Sequence, residues 1–161
     1  MELKKWYKSY NKFWLVGSII ITLILIIVAV NWPPFRDKKL LIAVKQGRAS
    51  DVKLWLKLGA NIEANGYPGM TPLMFATQKG YLDTVIVLLD NGANINSIGH
   101  MDLTPLMLAA REGNFNIVKV LVDRKADLNR KDYNGKTALN YAKENKHQDL
   151  VLFLIQAGAK E

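Results

Sequence analysis

The feature that most constrains this chain is its self-similarity at a fixed step. Thr71-Pro72-Leu73-Met74 returns as Thr104-Pro105-Leu106-Met107 and again as Thr137-Ala138-Leu139-Asn140, each copy 33 residues after the last. Gly47, Gly80 and Gly113 keep the same interval, with Lys146 in the fourth place, and Gly59 and Gly92 are followed in the same way by Lys125 and Gly158. The stretches Gly59-Ala60-Asn61-Ile62, Gly92-Ala93-Asn94-Ile95 and Ala126-Asp127-Leu128-Asn129 complete the unit. A period of this length marks one supersecondary unit repeated in tandem. Such a unit cannot bury its apolar face alone, so neighbours must stack.

The residues predict two helices per unit. Thr71 and Thr104 are good N-caps, and Pro72 and Pro105 suit the first helical position. Leu73, Ala76, Leu106, Ala109 and Ala110 form a small apolar face that lets helices approach closely. Gly80 and Gly113 stop the first helix. Val85, Leu88 and Leu89, then Val118, Leu121 and Val122, recur at helical spacing and make a second amphipathic helix, ended in one copy by Gly92.

These four in-register copies resemble ankyrin repeats, 33-residue units with the pattern T-P-L-H-x-A. The resemblance covers residues 38–161, in units of about 38–64, 65–97, 98–130 and 131–161. It implies an all-α solenoid of four repeats, each an antiparallel helix pair joined to the next by a β-turn finger. It also implies a non-catalytic protein-binding module that uses finger tips and the concave face of the first helices. The corresponding finger residues here are Asn65, Tyr67, Pro68 and Met70, then Ile98, His100, Met101 and Leu103, then Lys131, Tyr133, Asn134 and Lys136. The concave helix positions are Gln78, Lys79, Arg111, Glu112, Glu144 and Asn145. The fingers are apolar for exposed loops. Contiguous exposed apolar surface marks an interface, and packing between neighbouring fingers is the other reading.

The departures from the pattern carry expectations of their own. The first copy lacks a preceding finger and should cap the stack. Asp51 stands where Thr84, Ile117 and Leu150 are found, so its second helix is more polar there. Met74, Met107 and Asn140 replace the usual His, which shifts weight to apolar packing. Lys125 in place of Gly should destabilise by about 1 kcal/mol if the backbone there needs a positive φ. Leu150 to Ile155 are six apolar residues in a row, although a terminal repeat is normally polar outside, so at least one should be exposed.

Ahead of the repeats, residues 13–30 contain no charge. Extended to Trp32, the segment 13–32 would span about 30 Å as a helix, the thickness of a bilayer core. Trp6, Tyr7, Tyr10 and Trp14 lie at one end and Trp32 at the other, as headgroup-seeking aromatics do. A cleaved signal would carry a shorter apolar region and a small-residue cleavage site. The expectation is a basic tail over 1–12, a retained transmembrane helix over 13–32 in the lipid bilayer, and a short linker over 33–37. Lys4, Lys5, Lys8 and Lys12 precede the helix and favour a cytosolic N-terminus, with the repeats on the non-cytosolic, periplasmic side of an inner membrane. Arg36, Lys38, Lys39, Lys45 and Arg48 pull the other way.

The net charge of +8 is half membrane-flanking, because residues 1–36 hold five Lys or Arg and one acid. The mildly basic remainder points away from nucleic acid. The absence of cysteine excludes disulfides, thiolate metal sites and a cysteine nucleophile. Of the two histidines, His100 lies in a finger and His147 follows the helix-stop position, a structural place. No phosphate-cradling loop or catalytic constellation is present, so no cofactor, metal or small-molecule substrate is expected. The reading is a membrane-tethered protein-binding module of the cell envelope. An immunity or inhibitor protein stationed at the membrane, or an accessory subunit of a membrane complex, are the alternatives.

Overall fold

The stack is built from helix pairs that repeat the 33-residue period. The computed structural model describes residues 17–28, 32–66 and 69–160. Among them, α1 covers Gly17–Val28. Four pairs follow: α2 (Pro33–Lys45) with α3 (Ala49–Lys57), α4 (Pro72–Lys79) with α5 (Leu82–Asp90), α6 (Pro105–Glu112) with α7 (Phe115–Asp123), and α8 (Ala138–Glu144) with α9 (Gln148–Gln156). The described residues hold no strand, and a single 3-10 turn lies at His100–Asp102. First helices pack in the order α2, α4, α6, α8, and second helices in the order α3, α5, α7, α9.

The first helices start as the sequence implies. The hydroxyls of Thr71, Thr104 and Thr137 accept from the backbone N–H three residues on. The residues standing for the missing His close the caps reciprocally: Met107 Sδ accepts from Thr104 N at 3.4 Å and Asn140 Oδ1 from Thr137 N at 2.8 Å. Met74 and Met107 are buried along with Leu73, Leu106, Leu108 and Leu139, so these side chains fill core as well. Gly80 and Gly113 sit in the left-handed region at φ 76° and 74°, and Lys146 is held there at 61° without a glycine's freedom. Lys125, at φ 66°, likewise takes the left-handed conformation that Gly92 adopts one repeat earlier.

One expectation about the N-terminal part changes. Residues 33–37, expected as a linker, are the start of α2. Pro33 and Pro34 open this helix because an N-terminal turn has no use for their missing N–H groups, so the first repeat begins before Lys38. Among the described residues no single helix is long and apolar enough to cross a membrane. Gly17–Val28 and Pro33–Lys45 reach that length and composition only as a pair bent by 66°. Residues 13–16 and 29–31 of the expected span, and the tail 1–12, lie outside the described residues. The large aliphatic side chains of α1 are exposed from Ile19 to Val28.

Two periodic links join the repeats besides apolar packing. The residue after each helix stop leans on the previous repeat. The Tyr81 ring covers Gly47, Asn114 Nδ2 donates to Thr77 O at 3.0 Å, and His147 Nε2 meets Arg111 O at 3.1 Å with its ring over Gly113. The second link is a ladder of side-chain acceptors. Asn94 N donates to Glu63 Oε1 at 2.7 Å, Asp127 N to Asn96 Oδ1 at 2.9 Å and Lys160 N to Asn129 Oδ1 at 2.6 Å. In the first repeat, which has no finger before it, Asp37 of α2 takes this role and accepts from Asn61 N at 2.7 Å.

Candidate functional site

The fingers are short hairpin-like turns with a common bond. Gly66 N donates to Met70 O at 2.9 Å, Gly99 N to Leu103 O at 3.0 Å and Asp132 N to Lys136 O at 3.0 Å. Neighbouring fingers are also tied, since Tyr133 N donates to Met101 O at 3.1 Å. Met101 and Asp102 hold φ 60° and 59°, two successive left-handed residues with no glycine. Non-glycine residues in this region store strain of about 1–3 kcal/mol each, which the surrounding structure must offset.

The expected site residues fall into two groups. Asn65, Lys79, Ile98, His100, Met101, Glu112, Lys131, Tyr133, Asn134, Glu144 and Asn145 are exposed. Ile98 and Met101 each keep 45% of their surface and Tyr133 keeps 80%, so three large apolar side chains project from two bonded fingers. Met70, Gln78, Leu103, Arg111 and Lys136 are half-buried. Leu103 packs against the core, which makes local packing its role. Tyr67 and Pro68 lie outside the described residues. On the concave helices charge is largely matched: Lys136 Nζ meets Glu144 at 2.8 Å and Arg111 meets Glu112 at 3.1 Å.

One buried acid is not among the residues singled out from the sequence. Asp132 is buried. Its Oδ1 accepts from Asn134 N and Lys136 N, each at 2.8 Å, and its Oδ2 from the Tyr141 hydroxyl at 2.6 Å. Burial pushes the Asp132 carboxyl up, but these bonds and the Lys136 charge outweigh it and hold the group below the usual carboxylate range. Burial, then the bond to Asp132, pushes the Tyr141 phenol up from 10.0 to about 12. The cluster fixes the last finger against α8. The signal available in sequence was an acid, Asp132, at the place of Gly66 and Gly99, nine residues before a tyrosine.

The helix pairs, left-handed stops and fingers thus recur in register along the chain. The family model described as ankyrin repeats, in three copies, matches residues 20–99 and again 98–161. The chain belongs to the ankyrin-repeat family. No curated protein matches it. Ankyrin repeats are protein–protein interaction modules and typically non-catalytic scaffolds, so the partner class of this ankyrin-repeat chain is protein. Its His147 fills the inter-repeat place described above, a structural role.

Proposed function

We propose that this ankyrin-repeat chain is a membrane-tethered module that captures another protein on its fingers. The observation carrying the reading is the exposed trio Ile98, Met101 and Tyr133 on two fingers bonded backbone to backbone. Rigid aromatic and flexible thioether side chains on a fixed support are the usual anchors of interfaces. The concave residues Gln78, Lys79, Arg111, Glu112, Glu144 and Asn145 supply the polar rim, with Asn65, Met70, His100, Lys131, Asn134 and Lys136 completing the finger surface.

The tether is the apolar run 13–32, whose described part exposes a continuous aliphatic surface. Water does not stabilise such a surface, whereas lipid does. The basic tail before it favours repeats on the non-cytosolic side of a cell membrane. A photocrosslinking residue at 133 should trap a partner in intact membranes, while the same residue at Lys119, on the second-helix side, should not. Equal trapping at both positions would refute the finger assignment. A reporter active only after export, fused behind Glu161, tests the orientation, and its silence beside an active cytosolic reporter would reverse it.

A further inference from the structure

We infer that the first helix pair, α2 with α3, is a docking surface for anionic lipid headgroups that lays the N-terminal end of the stack on the bilayer. The inference rests on the proposal that the apolar run enters that bilayer.

In later repeats the second helix reaches back onto the repeat before it. The Phe153 ring packs on Phe115 with centroids 5.3 Å apart, and Arg124 pairs with Asp90 at 2.6 Å. The residues at those two places in the first pair are Leu54 of α3 and Leu58 at its C-terminal cap, which lie 99 and 66 residues earlier. The apolar run, and not a repeat, precedes α2. Leu54 therefore stays 50% exposed and Leu58 40%. The chain is delivered to this same end. Trp32 is exposed, and α2 begins at the next residue. Phe35 meets Trp55 edge-on at 6.1 Å, and Arg36 Nη1 donates to Leu58 O at 2.6 Å, so the start of α2 lies against the end of α3.

Charge selects the occupant. Residues 33–60 hold seven Lys or Arg against two acids, whereas residues 61–161 hold eleven of each. The folded domain's excess charge is thus confined to the membrane-proximal pair. Lys38, Lys39, Lys53 and Lys57 are exposed. Lys57 lies one helical turn from Leu54, and Lys53 one turn before Lys57, so a lysine stripe runs beside the exposed Leu54 and Leu58. Ammonium groups beside aliphatic side chains match a surface of phosphate headgroups over acyl chains. A second copy would set the same positive face against itself, which opposes that occupant.

The chain has no cysteine, so Leu54→Cys, Leu58→Cys and Leu152→Cys each create a single site for a nitroxide label. The full chain is reconstituted into vesicles of phosphatidylcholine, with or without phosphatidylglycerol. With phosphatidylglycerol, labels at 54 and 58 should lose collisions with an aqueous nickel relaxer several-fold and gain collisions with oxygen, while the label at 152 stays aqueous. Replacing Lys38, Lys39, Lys53 and Lys57 together by Gln should return 54 and 58 to water. The inference is overturned if 54 and 58 remain as aqueous as 152. It is equally overturned if they are shielded in both vesicles with spin–spin broadening, which marks a second copy. Carbonate extraction reads the anchor separately. A chain that resists carbonate with label 54 in water keeps the anchor and loses the docking surface. A chain that carbonate releases, after labels 54 and 58 were shielded by phosphatidylglycerol, loses the anchor and keeps the docking surface.

Discussion

The Tyr141 hydroxyl donates to Asp132 Oδ2 at 2.6 Å, so a first helix grips the base of its own finger. Both groups have shifted ionisation, which makes stability depend on pH at both extremes. The Asp132 carboxyl is held low in the folded state, so its contribution is present above the unfolded value and is lost as pH falls through the folded one. The Tyr141 phenol is held high, so its contribution is present below 10.0 and is lost as pH rises toward about 12. Tyr141→Phe should remove the alkaline loss and lower stability by about 1–3 kcal/mol through an unmatched buried acceptor. Denaturant titrations across pH check this, and an unchanged alkaline limb would refute it.

Leu106 is buried in the first turn of α6, the helix that packs between α4 and α8. Leu106→Ala should destabilise by about 2–5 kcal/mol through lost burial and a residual cavity. Calorimetry that finds under about 1 kcal/mol would place the stabilising interfaces elsewhere.

Thr84 Oγ1 is buried with no hydrogen-bond partner, at the place filled by Ile117 and Leu150 in later repeats. Thr84→Val keeps the shape and removes the unmatched hydroxyl, so it should stabilise by about 1 kcal/mol. A lower melting temperature in the variant would show that the hydroxyl is satisfied in solution.

Gly113 and Gly92 both hold positive φ, but a Cβ on Gly113 would come within 2.6 Å of the His147 ring, whereas one on Gly92 meets nothing within 4 Å. Both Ala variants carry the left-handed strain of about 1 kcal/mol, and only Gly113→Ala also displaces His147 from Arg111 O. The Gly113 variant should therefore lose more stability. Lys125→Gly should gain roughly 1 kcal/mol, because Lys125 occupies a backbone conformation that glycine takes freely.

What the sequence made legible was whatever depends on period and local backbone preference. Threonine caps, the left-handed stops and the exposed Leu152 and Ile155 of the last helix all follow from residue type at a fixed register. The contacts it hid run between registers. Asn96 and Asn129 look like solvated turn residues until the next repeat brings a backbone N–H to each, and Asp37 serves the same purpose from a helix. Asp132 was hidden because its partner Tyr141 belongs to the helix that follows the finger. Residues 33–37 read as a linker, yet the prolines at 33 and 34 open the helix that begins the stack.

The finger surface yields the prediction that bears on function. Met101 and Tyr133 project from bonded fingers and contribute little to the buried core, so shortening them should spare the fold. Aromatic anchors at the centre of an interface commonly contribute about 2 kcal/mol or more. Met101→Ala with Tyr133→Ala should weaken partner capture at least about tenfold, or about 1.4 kcal/mol, with helicity and melting nearly unchanged. The control is Leu152→Asp, because Leu152 is 62% exposed on α9 and offers a rival apolar surface. That change adds a charge where little burial is lost, so it too should leave the fold largely intact. Capture that survives the finger changes and fails with Leu152→Asp would move the interface to the last helix. Capture lost only with the finger changes would assign it to the fingers around Met101 and Tyr133.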